Sequence, residues 1–138
     1  MNQFIQKKKI KKNYNFKIEK IIFMNQITIN KIIKNNFKSY INLKNKSKIY
    51  TLIINSAVDK KITAKNKKGD ADVFSMQIIV NVEVFKNEIL INKINFKKNL
   101  EYDNQSNKFN LKQYETTIQN DLANKISNDI ILYLSTLT

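Results

Sequence analysis

From Val73 onward the hydrophobic positions fall into two successive periods. Phe74, Met76, Ile78, Val80, Val82 and Val84 occupy every second residue, with Ser75, Gln77, Asn81 and Glu83 between them. A period of two is the pattern of a strand with one buried face. Lys86-Asn87-Glu88 can turn the chain, and Leu90, Ile94, Phe96, Leu100 and Tyr102 continue the same parity on a second arm, interrupted by Asn92 and Lys98. The even-numbered positions of 74–84 and 94–102 are therefore expected to be buried. The period then changes. Ile118, Leu122, Ile126, Ile130 and Leu134 recur every fourth residue, which makes one apolar stripe on a helix over 111–136. Asn110, with Gln113 three residues on, is the candidate N-cap.

The first half is patterned less cleanly. Tyr14, Phe16 and Ile18 alternate, and Ile21 to Met24 extend the apolar run, which predicts a strand over 14–24. Ile29, Ile32, Ile33, Phe37, Tyr40 and Ile41 step by three and four, which predicts a helix over 28–42 capped by Asn25 or Thr28. Tyr50, Leu52 and Ile54 lie on one face of a further strand over 48–63, and Asn66 to Asp70 form a turn in which Gly69 supplies a positive φ. The order is β-α-β-β-β-α. The expected fold is α+β: a two-layer sandwich in which two helices cover one face of a four-stranded sheet. Residues 13–138 read as one domain, preceded by a disordered basic arm over 1–12.

Composition adds charge and removes chemistry. Lys, Ile and Asn number 25, 23 and 22 of 138 residues, a bias that fits A/T-rich codons. The formal charge of +14 favours anionic partners whatever its origin. There is no Cys or His, hence no thiol nucleophile, no disulfide and no imidazole base or ligand. All the cations other than the N-terminus are lysines, so no guanidinium fork is present to read guanine, and specific nucleic-acid recognition is disfavoured. Asp70 and Asp72 beside Gly69 lack the other ligands of a calcium loop and read as turn chemistry. No Gly-rich phosphate loop or serine nucleophile motif occurs, so neither a cofactor nor a catalytic residue is expected. The apolar runs fall short of the roughly 20 residues of a membrane-spanning helix. The basic N-terminus lacks the apolar core of a secretory signal.

The most concentrated candidate site is Lys60, Lys61, Lys65, Lys67 and Lys68, at the end of one strand and in its turn. Lysines there can serve as point charges for phosphate. Lys93 and Lys97 are expected to point to solvent. Phe74, Phe96 and Tyr102 share the parity of the apolar face, so they read as core rather than as a base-stacking platform.

The β-α-β-β-β-α layout resembles the lipopolysaccharide-assembly lipoprotein family LptE. The resemblance rests on Tyr50-Thr-Leu-Ile-Ile-Asn-Ser56, Phe74-Ser-Met-Gln-Ile-Ile-Val80, Phe96 to Tyr102, and Phe109 to Glu115 with Asp121-Leu-Ala123, and it spans roughly residues 14–137. It is a likeness of pattern. It implies a non-enzymatic protein on the periplasmic side of the outer membrane, partnered with a β-barrel translocon and with lipopolysaccharide. The family's signal peptide and lipid-modified Cys have no counterpart in this sequence. The competing expectation from charge is a cytosolic nucleic-acid-binding module.

Overall fold

The computed structural model describes residues 14–41, 43–44 and 46–137; the basic arm expected over 1–12 lies outside them. The elements are β1 (Phe16–Asn25), α1 (Ile27–Ile41), β2 (Lys48–Lys65), β3 (Ala71–Lys86), β4 (Ile89–Asp103) and α2 (Lys108–Thr136). The sheet order is β1-β2-β3-β4. β1 and β2 run parallel, joined through α1, while β2, β3 and β4 form an antiparallel meander. Both helices pack on the sheet, and against each other. The expected α+β order, with four strands and two helices, is the observed one.

One core lies between the sheet and the helices. Phe74 through Val84 bury every even position, as their alternation requires. Tyr50, Leu52 and Ile54 meet them from β2, and Ile29, Ile33 and Phe37 from α1. On α2 the expected stripe of Ile118, Leu122, Ile126, Ile130 and Leu134 is buried throughout. Ala123, Ser127 and Ile131 widen it by one row. The Ser127 hydroxyl donates to Ala123 O at 2.9 Å, so its burial leaves no orphaned polar group.

Two β-bulges change which residues face the core. In β1, Ile18 pairs with Tyr50 but Lys20 pairs with Thr51, so Glu19 is an extra residue. Beyond it the parity flips. Ile21 and Phe23 align with buried Leu52 and Ile54, while Ile22 and Met24 align with Ile53 and Asn55 on the opposite face, 42% and 45% exposed. The unbroken run Ile21 to Met24 is thus a strand that is apolar on both faces. In β4, Val84 pairs with Asn92 but Phe85 pairs with Leu90, which makes Ile91 the extra residue. Leu90 therefore leaves the core face on which its parity had placed it.

The expected burial of the second arm also needs correction at its other end. Tyr102 is buried, Ile94 and Phe96 are half-buried, and Leu100 is 43% exposed. β4 is an edge strand, and only α2 reaches over it. Tyr133 meets Phe96 edge-on at 6.1 Å and accepts a hydrogen bond from Asn92, and Asp129 pairs with Lys98 at 3.4 Å.

Helix starts differ from the expected ones by a few residues. α1 begins at Ile27, so Thr28 lies inside it, and Asn25 sits just before it at φ 71°. The polar device at this end is Asn30. Its amide donates to Met24 O at 3.0 Å, and its carbonyl accepts from the Ser56 hydroxyl at 2.7 Å. α2 is capped by Asn107, not Asn110: the Asn107 side chain accepts from Asn110 N at 3.1 Å. No helix among the described residues is long and apolar enough to cross a membrane.

Candidate functional site: the lysine hairpin and the uncovered sheet face

The β2–β3 hairpin extends beyond the helices, and from Lys60 to Asp70 every residue is exposed. Its turn is built by Asn66, whose side-chain oxygen accepts from the backbone N–H of Lys68 and of Asp70, each at 2.9 Å. Gly69, at φ 89°, supplies the left-handed residue that closes it, as expected. This geometry holds Lys65, Lys67 and Lys68 at the tip with their charges in solvent. Asp70 and Asp72 belong to the same turn and the strand after it. No group of three acidic, His or Cys residues able to hold a metal occurs among the described residues.

Lys60 and Lys61 stand apart from the tip. The Lys60 ammonium is 2.7 Å from the Glu115 carboxylate on α2 and 4.2 Å from the centre of the Phe74 ring. Tyr102 donates its hydroxyl to the same carboxylate at 2.5 Å. Burial alone would raise the Glu115 carboxyl. The hydrogen bonds from Lys60 and Tyr102, and the Lys60 charge, outweigh it and hold the carboxyl below its usual range. Burial, then the hydrogen bond and charge of Glu115, raises the Tyr102 phenol. Lys60 is therefore a tie between hairpin and helix. Lys61 pairs loosely with Asp59 at 3.5 Å. The five candidate lysines resolve into a structural tie, a strand-surface pair and a three-lysine tip.

The sheet face away from the helices is uncovered. Two shallow depressions share Ile53. One, of about 500 Å³, is lined by Ile22, Ile49, Thr51 and Phe85 with Glu19, Lys20 and Glu88 at its margin. The other, of about 340 Å³, is lined by Met24, Asn55, Asn81 and Asn95 with Glu83 and Lys93. Lys93 and Lys97 are exposed on this side, as expected.

Sequence reasoning missed the distribution of the acids. Residues 1–48 carry 13 lysines against a single acid, Glu19, whereas residues 49–138 carry 12 lysines against 10 acids. The signal was present in the sequence. It lies in the absence of Asp and Glu, which a search for adjacent lysines does not register.

The molecule belongs by architecture to the two-layer α+β class of β-α-β-β-β-α order. Solved structures with which it aligns include several lipoproteins. Rare lipoprotein B from Shewanella oneidensis aligns with a TM-score of 0.63 at 6% identity, over 85% of this chain and 94% of its own. A minor lipoprotein from Acinetobacter baumannii gives 0.64 at 14% identity, over 89% and 92%. Lipoprotein B from Nitrosomonas europaea gives 0.63 at 11%, over 92% and 89%. At these identities the likeness is one of fold. No protein-family model matches the sequence, and no curated protein sequence matches it either.

Proposed function

We propose that this chain is a non-enzymatic accessory subunit of the outer-membrane lipopolysaccharide translocon, held on the periplasmic side of that membrane. In this reading it binds lipopolysaccharide and supports assembly of a β-barrel partner. The observation that carries the reading is the fold likeness to three lipoproteins over nearly the full length of each chain. The exposed tip lysines add a physical reason: Lys65, Lys67 and Lys68 offer three solvent-facing point charges suited to clustered phosphates. Lys60, tied to Glu115, orients the hairpin rather than the ligand.

Base stacking is a poorer fit to the sheet. Phe74, Phe96 and Tyr102 face the helices, and by register Phe85 is the one aromatic ring on the uncovered face among the described residues. The test is binding of purified lipopolysaccharide to the full chain. Changing Lys65, Lys67 and Lys68 together to Glu is expected to leave the melting temperature nearly unchanged, since exposed charges add little to stability. It is expected to weaken binding by at least about tenfold, in a salt-dependent way. A parallel variant with Lys7, Lys8 and Lys9 changed to Gln controls for the N-terminal charge. Undiminished binding by the tip variant would remove the tip from the reading.

A further inference from the structure

The charge excess of the described residues is concentrated in β1, α1 and the link that leads into β2. Residues 14–48 hold eight lysines and one acid. The α1 edge has a definite geometry. Ile29, Ile33 and Phe37 point α1 into the core, which leaves Ile27, Lys31, Lys34 and Lys38 outward, at steps of four, three and four along one line of the helix. All three lysines are exposed, and among the described residues none makes an ion pair. α1 contains no acidic residue at all. Like charges at this spacing weaken a helix rather than support it, so the stripe is held by burial of the opposite face.

The stripe ends in an apolar residue. Ile27, in the first turn, is 71% exposed. Beside it a notch of about 190 Å³ lies between Phe23, Ile27, Lys31 and Lys34. A row of cations with an exposed aliphatic side chain at one end suits a planar anionic boundary: the lysines meet headgroup phosphates, and the apolar end enters the layer below.

We infer that the α1 edge is a docking surface for an anionic phospholipid layer, with Lys31, Lys34 and Lys38 on the phosphates and Ile27 in the interface. This goes beyond the translocon reading and does not depend on it, because neither lipopolysaccharide nor a barrel takes part.

The experiment is sedimentation of the full chain with vesicles of phosphatidylcholine alone, or with roughly one-third phosphatidylglycerol. Wild type binds the anionic vesicles and not the neutral ones, and added salt releases it. Changing Lys31, Lys34 and Lys38 together to Gln lowers partitioning on the order of 100-fold, from about fivefold per lysine near a charged surface. The same three changed to Arg retain binding, and Lys65, Lys67 and Lys68 changed to Gln shift it only by about twofold. Circular dichroism confirms that each variant is folded. The inference is overturned if the α1 variant binds like wild type, or if the tip variant loses as much. It is equally overturned if neutral vesicles bind equally well, or if single-stranded RNA binds tightly while anionic vesicles do not compete. Failure here leaves lipopolysaccharide binding by the tip standing, and the reverse also holds.

Discussion

The start of α1 is fixed by a buried polar pair, and that pair makes a quantitative prediction. Asn30 is 7% exposed and Ser56 1%. The Asn30 amide holds Met24 O, at the end of β1, and its carbonyl takes the Ser56 hydroxyl from β2. One side chain thus joins three elements. Replacing Asn30 with Ala removes two hydrogen bonds, each worth about 1 kcal/mol net, and strands buried partners at about 1–3 kcal/mol. The Ser56 hydroxyl has a second acceptor, Gln26 O, but at 3.5 Å it is a poor one. The expected cost of Asn30→Ala is therefore about 2–4 kcal/mol. A domain of this size unfolds with an entropy of about 0.3 kcal/mol/K, so the melting temperature falls by roughly 7–14 °C. Ser56→Ala alone costs about 1 kcal/mol, because it leaves only the Asn30 carbonyl unpaired. The double variant costs less than the two losses added, by about 1 kcal/mol. Urea denaturation of the four proteins measures this cycle. A loss below about 0.5 kcal/mol for Asn30→Ala, or strict additivity, would refute the coupling.

The β3–β4 turn places Asn87 at φ 53° and Glu88 at φ 65°, the pattern of a two-residue turn with both central residues left-handed. Glu88→Gly relieves the strain at the second position, and after the unfolded-state penalty of glycine it raises stability by about 0.5–1 kcal/mol, or about 2–4 °C in a melting scan. Glu115 is held below its usual range, so its contribution is complete above the ordinary carboxylate pKa and is lost as pH falls through the folded-state value. Glu115→Gln is expected to cost about 1 kcal/mol at neutral pH, with the difference from wild type shrinking on acidification below pH 4.5. Unfolding curves at several pH values read it, and a gap that widens in acid would contradict the assignment. Val80, fully buried at the centre of β3, tests the layer arrangement: Val80→Asp costs at least about 4 kcal/mol, seen as loss of the cooperative transition.

The meander and the long helix were legible because their periods are unbroken. From Phe74 to Val84 each even side chain is apolar, and on α2 the fourfold stripe runs from Ile118 to Leu134 without interruption. The bulges were not legible. A parity flip at Glu19 produces Ile21-Ile22-Phe23-Met24, which reads the same as a strand buried on both faces, and Leu90 matches the parity of Ile94 until Ile91 is counted out of register. Asn30 escaped notice because a polar residue beside an apolar stripe gives no sign of being buried. The cap of α2 was placed three residues late because Asn110, with Gln113 three residues on, matches the capping-box spacing, whereas Asn107 has Asn110 at that position. Of the candidate site, the three-lysine tip was readable as Lys65-Asn66-Lys-Lys-Gly69. The role of Lys60 was not, since its partner Glu115 lies 55 residues away in sequence.

Purification of the tagged chain from detergent-solubilised envelopes of its native host tests the central proposal most directly. One outer-membrane β-barrel protein is expected in near-equal amount, recognised by its heat-dependent mobility and by mass spectrometry, with lipopolysaccharide in the eluate. Recovery of the chain from the soluble fraction with bound RNA, and with no barrel protein in the envelope eluate, would contradict it.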